Sequence, residues 1–132
     1  MSIGGLVVTH GSLGESLVAE ATRLVGEHES FTWMATAGIS AEEIRRKLRT
    51  RVGSDPWIIF VDSPGTGPAV CAQDVIGEGQ AVVTGVNLAM LLSFLIHRDR
   101  YDSVEELARR MVRDGSRALE VLWSRDPPHP RD

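Results

Sequence analysis

A single cysteine, Cys71, in 132 residues excludes a disulfide within the chain and any zinc site built on cysteine ligands. No two of the four histidines stand four residues apart, the spacing that would set two imidazoles on one helix face around zinc. Long apolar runs are missing as well. The longest, Leu88 to Ile96, is broken by Ser93 and falls well short of the roughly 20 residues that span a bilayer. The start, MSIGGLVV, has neither a charged leader nor an adequate apolar stretch, so it does not read as a signal peptide. The expected compartment is cytoplasmic. Positive charge is scarce: 14 Lys+Arg stand against 18 Asp+Glu, for a formal net charge of −4, and Lys47 is the only lysine. A mildly acidic chain neutralises phosphates poorly, so no nucleic acid is expected as a partner. Neither G-x-x-x-x-G-K-[ST] nor G-x-G-x-x-G occurs; the fingerprints of a Walker nucleotide site and of a Rossmann cofactor site are both absent, and no cofactor or metal is expected.

What is present is an ordinary globular composition, 42% apolar and 24% charged, at a length that suits one domain. Short β-rich runs alternate with amphipathic stretches. Ile3 to Thr9 reads as a buried strand. Ser12-Leu-Gly-Glu15 has capping-box spacing, and Leu13, Leu17, Val18, Ala21, Leu24 and Val25 form one face of a helix to about Glu27. Phe31 to Ala37 reads as a second strand. Ser40-Ala-Glu-Glu43 opens a second helix, with Ile44, Leu48 and Val52 inward and Gly53 as its stop. Trp57 to Val61 is the clearest buried strand, followed by the turn chemistry of Asp62 to Pro68. Pro68 suits the first turn of a third helix, to about Ile76. Gln80 to Val86 is a fourth strand, and Asn87 caps a fourth helix from Leu88 to about His97. Asp102 or Ser103 caps a fifth, with Asp114-Gly115 as its end. Arg117 to Trp123 fits a strand or a last helical turn. The domain is expected to occupy residues 1–123, with 124–132 as a frayed tail. Alternation of this kind predicts a three-layer α/β/α fold around a parallel sheet, with functional groups gathered beyond the carboxyl ends of the strands.

Two side chains stand at such ends. His10 follows the first strand and precedes a helix, and imidazole is a nucleophile near neutral pH. Gly11 leaves space beside it. Asp62 ends the third strand at the same edge of the sheet. It reads equally as an Asx turn into Ser63-Pro64 or as the acceptor of the His10 Nδ1 proton, which would free Nε2 to attack. Gly65-Thr66-Gly67-Pro68 precedes a helix, where backbone N–H groups can hold a phosphoryl oxygen. The remaining histidines, His28, His97 and His129, fall in a polar linker, at a helix end and in the tail. Cys71 reads as core. The basic stretch Arg45 to Arg51 reads as a solvated helix face, with docking of an acidic partner as the sharper alternative.

Thr9-His10-Gly11, Val61-Asp62-x-x-Gly-x-x-Pro68 and Thr84-Gly-Val-Asn-Leu-x-Met-Leu-Leu92 together resemble the IIA component of mannose-family phosphotransferase systems, across about residues 3 to 123. The resemblance implies strand order 2-1-3-4, with His10 and Asp62 adjacent. It implies a phosphotransferase without metal or cofactor. His10 would accept a phosphoryl group from the phosphocarrier HPr and pass it to a IIB component for sugar uptake. Asp62 would pair with His10, and Gly11, Gly65, Thr66 and Gly67 would hold the phosphoryl group. Members are usually homodimers that exchange an antiparallel C-terminal strand, which Arg117 to Trp123 would supply, and they meet the membrane only through a IIC/IID permease. The family loop typically reads Gly-Gly-Ser-Pro. Here Gly67 lacks the serine hydroxyl, and Thr66, one residue earlier, is its substitute. The chain ends soon after the domain, so a separate IIB protein is expected. A regulatory phospho-switch and a non-catalytic interaction module are the competing readings.

Overall fold

The computed structural model describes residues 2–125. Four parallel strands, β1 (Gly4–Val8), β2 (Phe31–Met34), β3 (Trp57–Val61) and β4 (Gln80–Val83), lie in the order β2-β1-β3-β4. Five helices cover them: α1 (Leu13–Val25), α2 (Ala41–Val52), α3 (Gly67–Val75), α4 (Leu88–His97) and α5 (Val104–Arg117). The three-layer α/β/α architecture and the strand order are those expected.

The two central strands explain the sandwich. Every residue of β1 is buried, as are Ile58 to Val61 of β3. Successive side chains point to opposite faces, so a strand covered on both sides reads as a continuous apolar run. Val7, Ile58 and Phe60 face one layer, where Val18, Ala21, Leu91, Phe94, Leu107 and Met111 of α1, α4 and α5 meet them. Leu6, Val8, Ile59 and Val61 face the other, against Ile44 and Leu48 of α2 and Cys71 and Ala72 of α3.

Helix starts follow the capping residues. Ser40, Thr66, Asn87 and Ser103 each accept a backbone N–H from the first turn of the helix they precede. Ser12 does not. Its place is taken by Thr9, whose Oγ1 accepts the Gly14 N–H at 2.7 Å. Gly26, at φ 86°, stops α1 at Val25, two residues before the expected Glu27. Leu13 and Leu24 are 47% and 50% exposed, because small residues, Gly14 and Ala21, form the stripe that approaches the sheet.

The strands are shorter than the apolar runs. β2 stops at Met34 and β4 at Val83. Beyond Thr84 the chain leaves the ladder, and Gly85 and Val86 N–H groups bond instead to the carbonyls of Asp62 and Val61, at 2.9 and 3.0 Å. Gly115 does not end α5, which runs to Arg117. It lies where α4 comes closest: an added Cβ would stand 2.8 Å from Met90 Cε, and Asn87 Nδ2 donates to the Gly115 carbonyl at 3.2 Å. Arg117 is thus helical, and Leu119 to Ser124 form no strand in the single chain, since a strand needs a neighbour to pair with. Of the expected tail, residues 126–132 lie outside the described residues.

Gly5 sets a limit on β1. A methyl there would meet the Phe94 ring at 2.6 and 2.8 Å, and that ring is already seated edge-on to Phe60, with centroids 5.2 Å apart. Gly5→Ala should therefore destabilise the chain by about 1–3 kcal/mol, read as a lowered urea midpoint at unchanged slope. A stability equal to wild type would mean that Phe94 has room to move.

Candidate functional site

Register brings the site together. Val8, the last residue of β1, pairs with Val61, the last of β3. The chains leaving them, through Thr9-His10 and through Asp62, emerge side by side at the carboxyl edge of the sheet. His10 is open to solvent, its side chain 66% exposed, while that of Asp62 is 16% exposed.

One carboxylate oxygen holds His10 twice. Asp62 Oδ2 accepts the His10 backbone N–H at 3.0 Å and lies 2.8 Å from Nδ1. An ionised carboxylate only accepts, so Nδ1 carries a proton, and in the neutral imidazole Nε2 keeps the lone pair. The other oxygen makes the Asx turn: Asp62 Oδ1 accepts the Ser63 N–H at 2.9 Å and faces Thr66 Oγ1 at 3.2 Å. The two readings of Asp62 are thus both present, one on each oxygen. Burial pushes the Asp62 carboxyl up. The His10 backbone N–H, the His10 ring, the Ser63 N–H and the charge of a protonated His10 pull it down, and the outcome lies below the ordinary value.

The surrounding turns are fixed locally. Thr9, 1% exposed, donates its hydroxyl to the His10 carbonyl at 3.0 Å while capping α1. Its own carbonyl accepts the Thr36 hydroxyl at 3.1 Å. Gly11 and Gly65 take φ of 55° and 79°, the left-handed region that side chains disfavour. Thr66 is the N-cap of α3, its Oγ1 accepting the Ala69 N–H at 3.4 Å and lying 2.7 Å from the Ser63 carbonyl. Its hydroxyl is therefore turned into the loop and toward Asp62. Gly67 begins α3, and nothing lies within 4 Å of where its Cβ would be.

The other candidates lie apart from His10. His28 Nδ1 sits 3.0 Å from the Gly26 carbonyl. His97 stands beside Arg110, and burial, then Arg110 and Arg100, hold its pKa down. Cys71 is buried, its thiol directed at the Ala41 carbonyl. Arg45 reaches Asp74 and Arg46 pairs with Glu43. His129 lies outside the described residues. Among those residues no three of His, Cys, Asp and Glu gather as a metal site needs, and no helix is long and apolar enough to cross a membrane.

The part of Thr9 was missed in the sequence, where Ser12 carried the capping pattern. A buried threonine five residues before a helical glycine was the available signal. Gly85 stood in the sequence only as part of the motif from Thr84 to Leu92; that its N–H bonds to the Asp62 carbonyl is seen in the structure.

Comparison with known proteins finds relatives of the chain. A family model described as PTS system fructose IIA component matches residues 4–112. The chain is 30% identical over 129 residues to the PTS system mannose-specific EIIAB component of Escherichia coli (strain K12), covering 92% of this chain and 40% of that protein. It thus spans well under half the length of that relative. Among solved structures, the mannose/sorbose specific IIA subunit of the phosphotransferase system from Enterococcus faecalis superposes with a TM-score of 0.81 at 24% identity, covering 94% of this chain and 97% of that one. Component EIIA from Streptococcus agalactiae gives 0.81 at 18% identity, over 90% and 96%.

The lowered Asp62 pKa ties stability to pH. The unfolded carboxyl binds its proton more tightly than the native one. The contribution is therefore complete above the ordinary carboxylate value, near ~4, and is lost as pH falls through the native value. Asp62→Asn should flatten the acid limb of the stability curve in that window, measured by urea unfolding at stepped pH. Superimposable limbs for the two proteins would mean that the His10 contact is not kept in solution.

Proposed function

The chain belongs to the mannose-type EIIA family of the phosphotransferase system, and from that premise we propose that it is a phosphohistidine carrier acting in sugar phosphotransfer. The observation that carries the reading is the bond between His10 Nδ1 and Asp62, which leaves Nε2 as the nucleophilic nitrogen on an open surface. A small substrate is normally enclosed by its site. An exposed nucleophile suits a phosphoryl group delivered by another protein, here HPr.

In the transfer, Nε2 attacks phosphorus in line with the bond to the carrier atom of HPr. That bond breaks and the carrier atom keeps its electron pair. The His10 ring gains positive character, which the adjacent Asp62 carboxylate stabilises as the Nδ1 proton stays between them. The backbone N–H groups of Gly65, Thr66 and Gly67, at the start of α3, meet the equatorial oxygens. Gly11 leaves the approach clear. The helix terminus favours the negative group, and the work done is positioning and charge stabilisation. The second transfer, to a IIB component, runs the same step in reverse. On this reading the protein works in the cytoplasm and reaches the membrane only through its partners' IIC/IID permease.

A homodimer follows from the same family reading. Among the described residues the outer edge of β4 has no paired strand, and it borders a groove of about 680 Å³ shared with α5. Leu119, Val121 and Leu122, just beyond α5, are 78%, 69% and 72% exposed. Exchange of this segment onto the partner's β4 would cover both features.

Two experiments test the proposal. Incubation with phosphoenolpyruvate, enzyme I and HPr should add one acid-labile phosphoryl group by intact mass. His10→Ala should take none, and Asp62→Asn should slow transfer on the order of 10²-fold, as misplacement of a reacting group does. Undiminished labelling of His10→Ala would refute the assignment. Sedimentation equilibrium should find a dimer that the double change Leu119→Asp, Leu122→Asp converts to monomer; a wild-type monomer would remove the strand-exchange reading.

A further inference from the structure

His10 is held at more points than its ring. Its N–H and Nδ1 go to Asp62 Oδ2, and its carbonyl accepts the Thr9 hydroxyl at 3.0 Å. With these three atoms engaged, Nε2 is the remaining polar atom of the residue. The Thr9 side chain is also the least ambiguous hydrogen-bonding group near the site. It has one proton, which the His10 carbonyl takes. Its oxygen accepts the Gly14 N–H, a donor that can only donate. The direction of both bonds is thus fixed without any choice of tautomer or rotor.

The position is unusual for a hydroxyl. Thr9 is 1% exposed and is β-branched, so its χ1 is confined. An added Cβ on Gly14 would come within 3.3 Å of Thr9 Oγ1 and of the Val7 carbonyl, so the first turn of α1 is seated against this group. Thr36, beyond β2, adds a bond to the Thr9 carbonyl. Thr9 is thereby tied through its side chain to α1 and through its carbonyl to Thr36.

We propose that Thr9 is a positioning residue for His10: its hydroxyl joins the N-terminus of α1 to the His10 carbonyl and so holds the imidazole with Nδ1 on Asp62 and Nε2 outward. Asp62 fixes one end of the His10 backbone and Thr9 fixes the other. With the Thr9 hydroxyl gone, the 9–12 turn can pivot about the Asp62 contact. The ring then samples orientations in which Nδ1 and Nε2 exchange roles. The consequence for rate rests on the carrier reading above; the consequence for the ring does not.

The test compares Thr9→Val, which keeps the shape and removes the hydroxyl, with Thr9→Ser, which keeps the hydroxyl. Ring ¹⁵N shifts of His10, taken without any phosphoryl donor, report the tautomer. Wild type and Thr9→Ser should show the Nδ1–H form, and Thr9→Val a mixture. In transfer from HPr, Thr9→Val should lower kcat roughly tenfold or more with KM for HPr unchanged, and Thr9→Ser should restore kcat. A Thr9→Val protein with a lowered Tm but the wild-type ¹⁵N pattern would overturn the proposal and leave Thr9 a helix cap only. Should Thr9→Val not fold, Thr9→Cys, a weak donor of similar size, gives the same comparison. A wild-type protein that HPr fails to label would refute the carrier reading, while the ¹⁵N comparison would still decide the role of Thr9.

Discussion

The parallel pairing of β1 with β3 is the contact on which the site depends. Its register places Val8 beside Val61, and therefore Thr9-His10 beside Asp62. A slip of one residue would turn every side chain of one strand to the opposite face. It would exchange the Leu6 and Val7 faces between two cores of different shape and carry His10 away from its carboxylate. The packing of apolar side chains on both sides of the sheet thus fixes a polar contact at its edge. The two glycines that open β1 belong to the same constraint. Trp57 and Phe94 occupy the space that side chains at Gly4 and Gly5 would need, so the strand that carries His10 is bounded by its own missing atoms.

Much of this could be read from the sequence because the determinants were local. Trp57 to Val61 is a run of five apolar residues between a proline and an aspartate, and it became β3 without change. Ser40, Asn87 and Ser103 announce their helices through a side-chain oxygen placed one residue ahead of the first turn. His10 and Asp62 were legible because strand ends in a parallel sheet are few and polar groups there stand out. The order of the strands was different. Alternating elements imply a parallel sheet, but the order 2-1-3-4 came from resemblance to a family, since hydropathy patterns say nothing of which strand is central.

What was not legible depended on atoms distant in sequence or on closeness between backbones. Ser12 carries the capping pattern, yet Thr9 supplies the bond, because the turn brings Thr9 Oγ1 within 2.7 Å of the Gly14 nitrogen. Gly115 looks like a helix stop, yet it serves the contact between α5 and Met90 of α4. The Thr66 hydroxyl is directed at Asp62 and the Ser63 carbonyl, an orientation that composition cannot foretell. Leu119 to Ser124 belong to no strand or helix among the described residues, and nothing local in the sequence marks their place.

The two borders of the sheet differ in what would happen if a second strand approached. Along β2 runs a groove of about 540 Å³ whose outer wall is Arg46, Lys47, Thr50 and Arg51 of α2. Two molecules meeting through β2 would bring these cations face to face, and like charges so placed repel. The groove along β4 has Glu78, Asp102 and Glu105 together with Arg109, a mixture of signs with no such barrier. The basic stretch that looks like mere solvation of a helix therefore also sets the charge along one border of the sheet. Charge thus distinguishes the two borders of the sheet, one walled by cations and the other by both signs.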